Sequence, residues 1–172
     1  MKIIRRSLLS CSLVFAVSLS AYAQQPRGPV VLHAQEAAKL LPDAVFFAGQ
    51  SANTQIRNAA GVRFSNGEYA LAVLVDTSGY STAVQQKYQG YLLTESALEF
   101  EGHLLVPGAY GFGFVDGEFH VMDIGNHDLL QAPAHHDAGL ARPRPLQILN
   151  GDSPGSWRLC SGRECVGFHH AH

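Results

Sequence analysis

Along most of this chain, apolar and polar positions alternate instead of recurring every three or four residues. GVRFSNGEYALAVLVD, YQGYLLTE, LEFEGHLLV, PLQILNG and RLCSGRECVGF are runs of strand-like composition, separated by glycine, asparagine, aspartate or proline. Short strands at regular spacing with turn signals between them predict a mainly β protein, an antiparallel sandwich or partly closed barrel. Helical periodicity is confined to HAQEAAKLLP, residues 33–42. There Ala34, Ala37, Ala38 and Leu41 share one face, Glu36 and Lys39 the other, and Pro42 ends the run. This is the expected short N-terminal helix. STAVQQKY, residues 81–88, has room for one or two helical turns, and AVFFAG reads as a short buried strand.

The most informative hairpin is VPGAYGFGFVDGEFHVMD. If Asp116-Gly117 is a two-residue type I′ turn, Val115 faces Glu118, Phe114 faces Phe119, Gly113 faces His120, Phe112 faces Val121 and Tyr110 faces Asp123. One face then carries Tyr110, Phe112, Phe114, Phe119 and Val121 as a core stripe; the other carries Gly111, Gly113, Glu118, His120 and Met122. Glycines there let a ring or a second backbone come close, for packing or for a ligand. LVPGAYGFGF resembles a short pattern of exported bacterial β-rich domains of unknown function, which implies a β-domain and no catalytic group. The hairpin also matches the one around Asn66-Gly67 at an offset of fifty residues, a likeness that an internal duplication or convergence on turn chemistry explains. QAPAHHDAGLARPRP, residues 131–145, has three prolines and no apolar period, so it reads as a long loop.

Composition changes the picture at the ends. Lys2, Arg5 and Arg6 precede an apolar stretch from Leu8 to Leu19 and then Ala21-Tyr22-Ala23, the pattern of a signal peptide cleaved before Gln24. The expected organisation is a leader over 1–23, one β-rich domain over 24–168 and a disordered histidine-rich tail over 169–172. The mature chain would carry nine basic and fourteen acidic residues, a formal charge of −5, which argues against a nucleic-acid partner. No later apolar run is long enough for a transmembrane helix. An outer-membrane barrel would need eight clear alternating strands and aromatic girdles, which the pattern lacks. With the leader gone, Cys160 and Cys165 remain, flanking Ser-Gly-Arg-Glu, and in an oxidising compartment they read as a disulfide.

Candidate chemistry concentrates in histidine. His127, His135 and His136 are the candidate metal ligands, with Asp128 and Asp137 beside them; a loop folded back over 127 would give zinc or copper an open site. Their spacing matches no metal motif, and adjacent histidines on an extended strand point to opposite faces. Glu99 and Glu101 form a carboxylate pair of the kind a glycosidase uses, read here as a solvated strand face. Tyr80, Tyr88, Tyr91 and Trp157 are candidates for a carbohydrate groove. Gly-Asp-Ser around Ser153 looks like a serine-protease motif, but Pro154 removes a backbone donor where an oxyanion hole is needed, so NGDSPG reads as a turn. Ser51 has Asn53 where a nucleophile elbow needs its second glycine. The expectation is therefore a secreted or periplasmic β-domain, non-enzymatic and without cofactor. It would bind a protein, glycan or small-molecule partner or serve an envelope-associated structural role. The alternatives are a zinc or copper protein using 127–137 and a small hydrolase whose site is not recognised.

Overall fold

The computed structural model describes residues 28–171; the leader read at 1–23, Cys11 and His172 lie outside the described residues. In chain order the elements are β1 (Val30–Leu32), α1 (Ala34–Ala38), β2 (Ala44–Phe47), β3 (Gln50–Arg63) and β4 (Tyr69–Val75). Next come α2 (Thr82–Lys87), β5 (Gly90–Thr94), β6 (Leu98–Phe100), β7 (His103–Leu105), β8 (Gly108–Val115) and β9 (Glu118–Met122). The chain finishes with β10 (Asp128–Pro133), β11 (His135–His136), β12 (Arg144–Asn150), β13 (Ser156–Gly162) and β14 (Glu164–His170). Two open antiparallel sheets result, as a sandwich requires. The larger runs β1-β3-β4-β5-β8-β9-β10, with β2 paired to the first half of β3. The smaller runs β12-β13-β14-β6-β7, with β11 beside β14.

Between the sheets lies the main core, where Ala70, Ala72, Leu92, Phe112, Phe119 and Val121 meet Leu98, Phe100, Ile148, Trp157, Leu159 and Phe168. The larger sheet is covered on its other face as well. Ala37 and Leu41 of the α1 region pack on Ala59, Leu71 and Val73, while Val45, Phe47, Tyr80 and Tyr88 pack on Val75 and Met122. Burial on both faces explains why β4 is the continuous run YALAVLV instead of an alternating one. The smaller sheet keeps the alternation, because only one of its faces is buried.

The β8–β9 hairpin forms as the turn chemistry predicts. Asp116 (φ 51°) and Gly117 (φ 79°) are both left-handed, and the rungs run from Val115↔Glu118 to Gly111↔Met122. Pairing stops there, so Tyr110 does not face Asp123: the Asp123 carboxylate instead accepts the Gly125 and His127 N–H groups in the following turn, at 2.9 Å each. The two glycines serve packing. A Cβ at Gly111 would lie 2.4 Å from the Phe47 ring, and one at Gly113 would lie 1.9 Å from the Lys87 carbonyl oxygen.

Four expectations are corrected. The helix read over 33–42 spans only Ala34–Ala38. The Glu36 carboxylate accepts the His33 N–H at 2.9 Å, and the chain then tightens through i→i+3 bonds at Lys39 and Leu40 ahead of Pro42. LEFEGHLLV is two strands, β6 and β7, because Glu101 (φ 45°) and Gly102 (φ 86°) turn the chain back. Only 137–143 keeps the loop character expected of 131–145: β10 includes Gln131–Pro133, β11 is His135–His136, and β12 begins at Arg144. Pro133 and Pro145 are tolerated because β10 and β12 are edge strands, where a missing N–H removes no interior rung. The tail is ordered through Ala171. His169 pairs with both Ser156 and Glu99, the His170 ring stacks 4.9 Å from Phe64, and the Ala171 N–H donates to the Ala97 carbonyl.

Candidate functional site

The outer face of the smaller sheet is bare where the larger sheet's is covered, and alternation decides which side chains it presents. On β13, Trp157 and Leu159 point into the core and Arg158 points out; on β14, Val166 and Phe168 point in and Gly167 and His169 point out. Two strands flank one side of β14 with a gap between them. β11 reaches the Cys165 rung and β6 begins at the Phe168 rung. In that gap the Gly167 N–H has no strand to pair with, and the Glu101 carboxylate accepts it at 3.1 Å. A backbone donor left over by the break is thus satisfied by a side chain from the β6–β7 turn.

Over this bare face lies an open cleft of about 690 Å³, within the ~300–1,000 Å³ of small-molecule sites. Arg158 and Gly167 form its floor, and Glu101, Asp137, Asp152 and His135 are among its walls. Its charges are mostly paired. Arg158 Nη1 lies 2.9 Å from Asp137 Oδ2, His136 Nδ1 2.5 Å from Glu164 Oε1, and His169 Nε2 3.6 Å from Glu99 Oε2. The turn from β12 to β13 closes one end: Ser156 Oγ donates to the Ser153 carbonyl at 2.8 Å, and the Gly151 N–H donates to the Ser156 carbonyl at 2.8 Å. NGDSPG is therefore a turn, with Gly155 at φ 80°. A second, more apolar cleft of about 890 Å³ meets the first at Ser153, Ser156, Trp157 and His169 and extends along Phe64, Pro154 and His170.

The histidines proposed as metal ligands are not brought together. His127 sits in the β9–β10 turn of the larger sheet, 2.9 Å from Asp123 Oδ2, whereas His135 and His136 are on β11 beside β14. Asp128 pairs with Lys87 at 2.8 Å. Among the described residues, no three His, Cys, Asp or Glu side chains are grouped to hold a metal. The tyrosines do not form a groove with Trp157: Tyr88 stacks on Phe47 at 3.7 Å on the far side of the larger sheet, and Trp157 is buried in the main core. Burial pushes the Tyr88 phenol well above its ordinary value, with Tyr80 and Tyr91 adding to the shift. Ser51 is exposed in the β2–β3 hairpin. Glu99 and Glu101 do not share a strand face, since Glu101 has left β6 for the turn.

Cys160 and Cys165 face each other across β13 and β14 and are bonded, with Cα atoms 4.1 Å apart. No helix among the described residues is long and apolar enough to cross a membrane. What the sequence left unread was the gap beside β14. Its one visible sign was Glu101-Gly102, a left-handed turn pair less familiar than Asn-Gly. No protein-family model matches the chain, and no curated protein and no solved structure matches it.

Proposed function

We propose that this chain is an exported binding domain, secreted or periplasmic and non-enzymatic, that holds its ligand on the bare face of the smaller sheet. The observation that carries the reading is the contrast in cover. The larger sheet is packed on both faces, while the smaller one leaves a cleft of about 690 Å³, with Glu101, Asp137, Asp152 and Arg158 in its lining, open to solvent. Carboxylates, imidazoles and a guanidinium in such a cleft suit a polar, hydroxyl- or amine-bearing ligand such as a glycan. A non-enzymatic role is supported by how the side chains are spent. Ser153 and Ser156 bond within their own turn, and His136 and His169 turn to carboxylates, so among the described residues of the cleft no hydroxyl is joined to an imidazole as nucleophilic catalysis needs. Export is supported by the leader pattern together with the disulfide.

The test is a titration of the isotopically labelled chain from Gln24 with a panel of neutral, acidic and amino-sugar oligosaccharides, followed by amide chemical shifts. Saturable shifts at Glu101, Asp152, Arg158 and Gly167 are the expected result. Saturable shifts confined to the covered side, around Phe46 and α2, would refute this choice of face.

A further inference from the structure

Residues 134–143 link the edge strand of one sheet to the edge strand of the other, and His135, His136 and Asp137 of this link form one wall of the cleft. None of its side chains is fully buried and none belongs to an apolar cluster of the core, with Leu140 only half-buried. From His135 to Ala138 the bonds that hold the link go to the β13–β14 hairpin, its two strands and the turn between them. His135 and His136 pair with Cys165 and Glu164, and the His136 imidazole meets the Glu164 carboxylate. The Asp137 N–H donates to the Arg163 carbonyl at 2.9 Å, and the Arg163 guanidinium donates back to the Asp137 and Ala138 carbonyls at 3.0 and 2.9 Å. The Arg158 guanidinium takes the Asp137 carboxylate at 2.9 Å. Before this stretch, the Ala134 N–H is held separately by the Gly117 carbonyl at 2.8 Å.

All these partners sit on one short hairpin whose tip the Cys160–Cys165 bond closes. The bonded cysteines are only five positions apart, so closing so small a loop removes little entropy from the unfolded chain. Only the Ser161↔Glu164 rung separates that bond from the Gly162–Arg163 turn, from which Arg163 reaches Asp137 and Ala138. A segment with few buried apolar contacts, held mainly by exposed hydrogen bonds, is drawn from the low-stability end of a fold.

We infer that residues 134–143 are a strap gating the cleft, and that the disulfide-closed tip of the β13–β14 hairpin is its latch. The inference deepens the binding reading and rests on it only in treating the cleft as a site. With the latch closed, His135 to Asp137 stand as a fixed wall. With the tip open, the wall swings out on its ends at Ala134 and Arg144, and the cleft loses one side.

Amide hydrogen exchange on the free protein tests this without any ligand. In Cys160→Ala/Cys165→Ala, the Asp137 amide is expected to exchange about tenfold faster or more, while Ala134, Val73 and Leu92 keep their native protection. If that variant fails to fold, Arg163→Ala keeps the disulfide and removes the guanidinium, and the same selective loosening at Asp137 is expected. Native protection of Asp137 in both variants would overturn the latch. So would acceleration of Asp137, Val73 and Leu92 together, which would make the bond a staple for the whole fold. Failure to find a ligand for the cleft would count against the binding reading alone.

Discussion

Gly113 and Gly167 both stand on the outward face of a strand, one in each sheet, with opposite surroundings. A Cβ at Gly113 would meet the backbone oxygen of Lys87 at 1.9 Å, because α2 and its exit lie directly on the larger sheet. A Cβ at Gly167 would meet only the Glu101 carboxylate, at 2.5 Å, the end of a side chain free to rotate away. The first glycine is demanded by a second layer of protein. The second lies in an open cleft where no second layer exists. A surface that must be covered for stability is covered in this fold, so the uncovered one is available for other work.

Substitutions on the two faces test this contrast. The largest effect is expected from Phe47→Ala, on the covered side, since Phe47 is fully buried and stacked on Tyr88. The loss should be about 3–5 kcal/mol, read as a fall in denaturation midpoint with unchanged slope. Gly113→Ala follows at about 3 kcal/mol, because backbone must move to admit the methyl group. Gly167→Ala should cost about 1 kcal/mol, roughly the worth of the Glu101 hydrogen bond it displaces. If the two alanine variants melt together, the contrast fails.

A smaller effect is expected at Asp123. Hydrogen bonds from the His127 N–H and the His127 imidazole hold its carboxyl below the ordinary 3.8, against a small opposing effect of desolvation. A depressed carboxyl stabilises the fold above its unfolded value and loses that contribution as pH falls through the folded one. Asp123→Asn should therefore melt lower than the native chain at neutral pH, and the gap should close on acidification below the carboxylate range. A gap that is constant down to about pH 2 would show that charge has no part in it. Smallest of all, excess zinc or copper should leave the melting temperature unchanged, whereas a native-state site at a hundred times its dissociation constant would add about 2.7 kcal/mol.

Local chemistry made much of the fold legible. Asp116-Gly117 gave the hairpin and its register, and two cysteines around a four-residue turn gave the disulfide. Legibility failed where position depends on a partner distant in sequence. Polar, proline-rich 131–145 looks like solvated loop, yet its ends are edge strands and its middle is held by β14, which begins at Glu164. His169 and His170 look like a frayed tail, yet β6 and β13 pair with them. The unbroken apolar run of β4 did carry a sign of cover on both faces, in its lack of alternation. The cleft was the least legible feature, because it arises from two strands that fail to meet beside Gly167, and its one local trace is the Glu101-Gly102 turn.

The central claim is that the bare face of the smaller sheet is spare for folding. Its most direct test is the melting temperature of Glu99→Gln/Asp152→Asn/His169→Gln, which alters three groups on or beside that face at once. Exposed substitutions of this kind each fall within about 0.5 kcal/mol, so the triple variant should melt within about 5 °C of the native chain. A fall as large as that of Phe47→Ala would mean the face is structural and would contradict the claim.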